Sequence, residues 1–142
     1  MKHFIKRRLK FAAVLILLIL LFLFLPGCFQ QGEEEGEKVD LGFTVVPEKE
    51  ISGELRKLLD KKKEKPFRFS YIDEDFLYIV EGFGEKDSGG YSVVVDQLYL
   101  MKQAVYFNAL LVGPKEEDRT LEKTCPYIVI KLERREEPVV FL

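Results

Sequence analysis

Phe67-Arg68-Phe69-Ser70-Tyr71, followed by Ile72-Asp73-Glu74-Asp75 and then Phe76-Leu77-Tyr78-Ile79-Val80, is the stretch that decides the fold. Phe67, Phe69 and Tyr71 alternate with Arg68 and Ser70, the period-2 pattern of a half-buried strand. Asp73-Glu74-Asp75 breaks that run with turn-forming residues, and Phe76 to Val80 is continuously apolar, as suits a central strand. Two such runs across a short polar break predict a hairpin. Toward the C-terminus the same reading continues. A glycine-bearing loop, Glu81 to Gly90, feeds a strand over Tyr91 to Val95. Leu98 to Met101 and Ala104 to Val112 read as further strand, with Lys102-Gln103 as a tight turn between them. Gly113-Pro114 ends that pair, Lys115 to Lys123 is a charged loop, and Tyr127 to Leu132 and Pro138 to Leu142 are the last strands.

Toward the N-terminus, Phe43 to Val46 is a short strand and Pro47 suits the first turn of a helix. Ile51, Leu55, Leu58 and Leu59 recur at helical spacing, so the helix is expected to run to about Lys63 and pack one side. Gly53 would cost it about 1 kcal/mol relative to alanine. Lys61, Lys62, Lys63 and Lys65 lie at its C-terminal end, where cations complement the macrodipole. The fold class is therefore α+β: mainly an antiparallel sheet of five or six strands, with one N-terminal helix on a face, over residues 42–142.

What precedes this domain is of another kind. Lys2, Lys6, Arg7, Arg8 and Lys10 lead into Phe11 to Leu25, fifteen apolar residues without a break, followed by Pro26, Gly27 and Cys28. Basic, apolar, then small is the order of a secretory signal, with the basic end cytoplasmic. Leu25-Pro26-Gly27-Cys28 resembles the lipobox of bacterial lipoproteins, departing from it at Pro26. The resemblance implies cleavage before Cys28 and acylation of Cys28, and two or more chains anchor stably where one does not. The other reading is an uncleaved signal anchor, because Phe11 to Phe29 approaches the roughly 20 apolar residues that span a bilayer. Gly-Cys at the exit favours lipidation. Both readings put the domain on the outer face of the cell membrane. Residues 1–27 are thus the signal peptide or anchor, and residues 28–41, with Glu33, Glu34, Glu35 and Glu37, a flexible acidic tether.

Composition bears on function mainly by exclusion. Five of the 22 lysines and arginines precede the apolar run, leaving 17 against all 24 acidic residues beyond residue 27. That acidic balance argues against a nucleic-acid partner. The only histidine is His3, so the domain lacks histidine triads, histidine metal sites and a histidine general base. Cys125, the only cysteine besides Cys28, has no CxxC partner and no histidine close in sequence, and it reads as a partly buried thiol. Asp73 and Asp75 read as turn solvation rather than as a glycosidase pair. Gly82-x-Gly84 is followed by a strand, whereas a phosphate cradle needs a helix N-terminus. No enzyme activity, no cofactor and no metal are expected.

Gly89-Gly90-Tyr91-Ser92-Val93, Gly113-Pro114 and Thr124-Cys125-Pro126-Tyr127-Ile128-Val129-Ile130 together resemble the C-terminal domain of the PrcB family, named for a protease complex subunit. Ser88 stands where the family has threonine before its glycine pair, and Cys125 where it has tyrosine. The resemblance implies a small extracytoplasmic β domain, often on a lipoprotein, and an accessory role toward a protease. It supplies no catalytic residues. Tyr91 and Tyr127 each open a strand and are expected to pack over one end of the sheet. Pro126 raises the question of a cis bond, which about 5–6% of X-Pro bonds adopt. If the two loops meet, Asp87, Ser88, Gly89, Gly90, Tyr91, Thr124, Pro126 and Tyr127 form a rim for a protein partner, with Asp87 and Ser88 expected at its exposed surface. The function so read is a membrane-tethered, non-catalytic accessory or binding subunit. The alternative is a small-ligand or protease-inhibitor module at the cell envelope.

Overall fold

The computed structural model describes residues 36–142. The strands are β1 (Val39–Asp40), β2 (Thr44–Val45), β3 (Pro66–Ile72), β4 (Phe76–Phe83), β5 (Ser92–Met101), β6 (Ala104–Val112), β7 (Tyr127–Glu133) and β8 (Val139–Phe141), and one α-helix, α1, covers Gly53–Lys62. They form two four-stranded sheets, ordered β1-β5-β6-β8 and β2-β7-β4-β3. Every neighbouring pair is antiparallel except β6 and β8, which run parallel from Val105 opposite Val139.

The α+β class and the mainly antiparallel pairing stand, but the single sheet of five or six strands is corrected to two sheets. The reason lies in β4 and β7, which are apolar on both faces. Leu77 and Ile79 of β4, with Ile128, Ile130 and Leu132 of β7, meet Leu98, Val105, Phe107 and Ala109 of the other sheet in one buried cluster. The opposite face offers Val80 and Val129 to Leu55 and Leu59 of α1, joined by Val46 and Ile51. A continuous apolar run is what a strand covered on both sides requires.

The helix is shorter than its apolar spacing suggested. Pro47 heads a single 3-10 turn, Glu48–Glu50, and Ile51 is then extended with ψ 126°. The helix restarts at Ser52, whose hydroxyl accepts the N–H of Leu55 at 3.3 Å, a normal N-cap. Gly53 is therefore the first helical residue, and the interior penalty does not apply to it. Leu58 is 37% exposed and lies off the buried face.

Both predicted hairpins are present. Lys102 and Gln103 have φ of 48° and 65° between β5 and β6, as a two-residue turn matched to strand twist demands. At the β3–β4 turn the Asp73 carboxylate accepts the N–H groups of Asp75 and Phe76 at 2.9 and 2.7 Å. Those two bonds hold its pKa below the ordinary carboxylate value. A depressed folded-state pKa adds stability that is present above the unfolded pKa and lost as pH falls through the folded one. The melting temperature of Asp73→Asn is therefore expected to fall less than that of wild type on acidification below about pH 4, because asparagine keeps the turn bonds without titrating. Equal acid sensitivity would show that Asp73 does not contribute.

Val39–Asp40 pairs with Tyr99 and Leu100 of β5, so regular pairing begins inside the 28–41 stretch read as tether. The signal segment, Cys28 and the Glu33 to Glu35 run lie outside the described residues.

Candidate functional site

The loop leaving β4 and the loop entering β7 come together. Lys86 and Thr124 form an antiparallel bridge, with N–H to O=C bonds of 2.7 and 3.1 Å in the two directions. The Thr124 hydroxyl donates to the carbonyl of Ser88 at 2.8 Å, and the Thr120 hydroxyl accepts the N–H of Gly89 at 3.1 Å. Lys123 and Glu85 close the outer side with an ion pair of 2.6 Å, which raises the lysine pKa above its ordinary value. Asp87, Ser88, Gly89, Gly90, Tyr91 and Thr124 thus share one rim.

The glycine pair is what lets the loops approach. A Cβ on Gly89 would fall 2.3 Å from the Thr120 hydroxyl, and one on Gly90 would fall 2.4 Å from the Asp118 carbonyl oxygen and 2.8 Å from Pro114. Gly90 also has φ +87°, a conformation that side chains beyond glycine rarely adopt. Ser88 is only 9% exposed. The expectation that it lies at the surface is corrected: its own carbonyl is held by Thr124 and the N–H of Gly89 by Thr120, both on the opposite loop, which draws Ser88 in. Asp87 is exposed and Tyr91 half-buried.

Tyr127 and Pro126 do different work. The Pro126 peptide bond is trans, since no described residue has a cis bond, and its carbonyl accepts the N–H of Phe83 at 3.0 Å. Tyr127 packs with the helix-side cluster, and burial raises its pKa above the ordinary phenol value. Cys125, partly buried, lines a cavity of about 300 Å³ with Tyr127, Lys63 and Lys123. Lys123 stands two residues before Cys125 in the chain and the fold adds Lys63, but Lys63 is hydrogen-bonded to Asp60 and Lys123 to Glu85. Both charges are already matched.

The rim encloses an open concavity of about 430 Å³ lined by Lys86, Asp87, Ser88, Tyr91, Thr120 and Leu121. Leu121 is fully exposed at the tip of the facing loop. Thr120 and Leu121 were passed over in the sequence, although Leu121 is the one apolar residue within the charged stretch Lys115 to Lys123. An apolar tip ringed by exposed charges of both signs suits contact with a protein surface. Among the described residues, no three potential metal ligands cluster.

Residues 77–133 match the PrcB C-terminal family. That is the family whose motifs were read from the sequence, and the matched segment spans β4 through β7 with both rim loops. No curated protein and no solved structure matches the chain.

Proposed function

We propose, from that match and from the two loops that carry the family's motifs, that this chain is a non-catalytic accessory subunit on the outer face of the membrane. Its rim binds a protein partner belonging to a protease complex. The observation that supports this most is that Asp87 to Tyr91 and Thr120 to Thr124 form one braced surface with an exposed apolar tip. A surface already fixed by hydrogen bonds loses little freedom on binding, which favours affinity. The site offers no histidine, and the acidic groups nearest to it, Glu85 and Asp87, are exposed. Gripping rather than turnover is the chemistry it suits.

Asp87→Lys reverses an exposed charge and is expected to leave stability within about 0.5 kcal/mol. It should nevertheless weaken retention of the partner when membranes are solubilised and the chain is purified. Retention unchanged by Asp87→Lys but lost when Lys61, Lys62 and Lys63 are neutralised would place the contact on the helix side and overturn the rim assignment. Ser88→Glu is unsuitable as a probe, because it would bury a carboxylate.

Membrane attachment through Cys28 belongs to the same proposal. A metabolic acyl probe should label the wild-type chain and not Cys28→Ser. An unlabelled chain that keeps Met1 would establish the signal anchor instead.

A further inference from the structure

The seven residues of β3 end their sheet, and among the described residues no strand pairs with their outer side. The hairpin fixes which groups face outward. Asp73 donates its N–H to the carbonyl of Phe76 at 3.0 Å, and the register pairs Tyr71 with Tyr78, Phe69 with Val80 and Phe67 with Gly82. In an antiparallel ladder bonded pairs alternate, so Phe67, Phe69 and Tyr71 bond to β4 while Arg68, Ser70 and Ile72 turn N–H and C=O outward. Exposed edges are usually kept short or interrupted by bulges. The edge strands β1, β2 and β8 have two, two and three residues, whereas β3 runs its whole length with no shift of register. Pro66 stands only at its start.

We propose that this edge pairs antiparallel with β3 of a second copy of the chain, joining two sheets edge to edge about a two-fold axis at Phe69. Charge selects this occupant. The approach to β3 carries Lys61, Lys62, Lys63 and Lys65, and its far end carries Asp73, Glu74 and Asp75. An antiparallel copy sets each lysine end against an acidic end, and a parallel copy would set like against like. The side chains agree with that register. Phe67 and Phe69 stack at 5.9 Å on one face, and Tyr71 lies beside them, all half-buried. Pairing centred on Phe69 sets Phe69 against Phe69 of the second copy and Phe67 against its Tyr71. Aromatic cross-strand pairs of this kind stabilise a ladder. On the other face Arg68, whose guanidinium bonds buried Glu81 at 2.7 Å, lies opposite a serine, which it does not crowd.

The test uses the full-length chain in its own membranes, with Cys125→Ser and with Phe69→Cys added, treated with a short bifunctional thiol reagent. A cross-linked dimer is expected with Phe69→Cys and not from the Cys125→Ser parent, which controls for Cys28. It should also be absent when Val94→Cys, exposed on β5, replaces Phe69→Cys. Adding Ser70→Pro should abolish the dimer without lowering the melting temperature, since that N–H faces outward and proline is tolerated on such an edge. In a second arm, Lys65→Glu alone and Asp75→Lys alone should each reduce dimer yield several-fold, and the two together should restore it. No dimer from Phe69→Cys, a dimer indifferent to Ser70→Pro, or no restoration by the paired reversal would overturn the proposal. A cross-link to a different protein would also overturn it, because the edge would then serve a foreign strand.

Discussion

Gly90→Val is expected to cost the domain about 3–5 kcal/mol. A branched residue at φ +87° carries about 1–3 kcal/mol of backbone strain. Its Cβ would also drive into the Asp118 carbonyl and Pro114, adding a further cost of about 1–3 kcal/mol. At roughly 4–8 °C per kcal/mol for a domain near this size, the melting temperature should fall by about 12–40 °C. Gly42→Val is the matched control, because a Cβ there meets nothing within 4 Å, and it should stay within about 0.5 kcal/mol. A small effect at Gly90 would mean that the two loops are not held together as described. The rim would then have no fixed shape with which to select a partner.

Phe107→Ala should be as costly, about 3–5 kcal/mol in denaturant unfolding. Phe107 is 0% exposed and meets Phe141 edge-to-face at 5.8 Å. It projects from β6 into the cluster shared by both sheets, so its truncation opens a cavity between the layers rather than a dent at the surface. Phe107→Leu should cost clearly less. A loss below about 1 kcal/mol for the alanine variant would argue against the two-layer core.

That core is where the sequence was least informative. Strands with their own periodicity were legible: β3 by its alternation, β4 by its apolar run, and β5 and β6 by the Lys102-Gln103 turn between them. The division into two sheets was not: the edge strand Val39–Asp40 is too short to carry a period, and Pro138 to Leu142, though read as a strand, does not show which sheet it joins. Pairing of β8 with β6 leaves no local mark at all. The helix start was misplaced for a related reason. Ile51 reaches the same buried cluster as Leu55 and Leu59 but from extended chain, and spacing alone does not separate the two. The meeting of the loops stood in the sequence only as a condition, which the Lys86–Thr124 bridge supplies. The burial of Ser88 was not legible, since it depends on Thr120, 31 residues beyond Gly89, and on Thr124, 36 residues beyond Ser88.

The binding role of the rim is tested most directly by a photoactivatable amino acid in place of Leu121, the fully exposed tip. Irradiation of intact cells should join the chain to one extracytoplasmic protein, a protease or a subunit of its complex. The adduct should disappear with Asp87→Lys, and the same probe in place of Lys62 on the helix should yield none. No adduct at Leu121 together with a reproducible adduct at Lys62 would contradict the account.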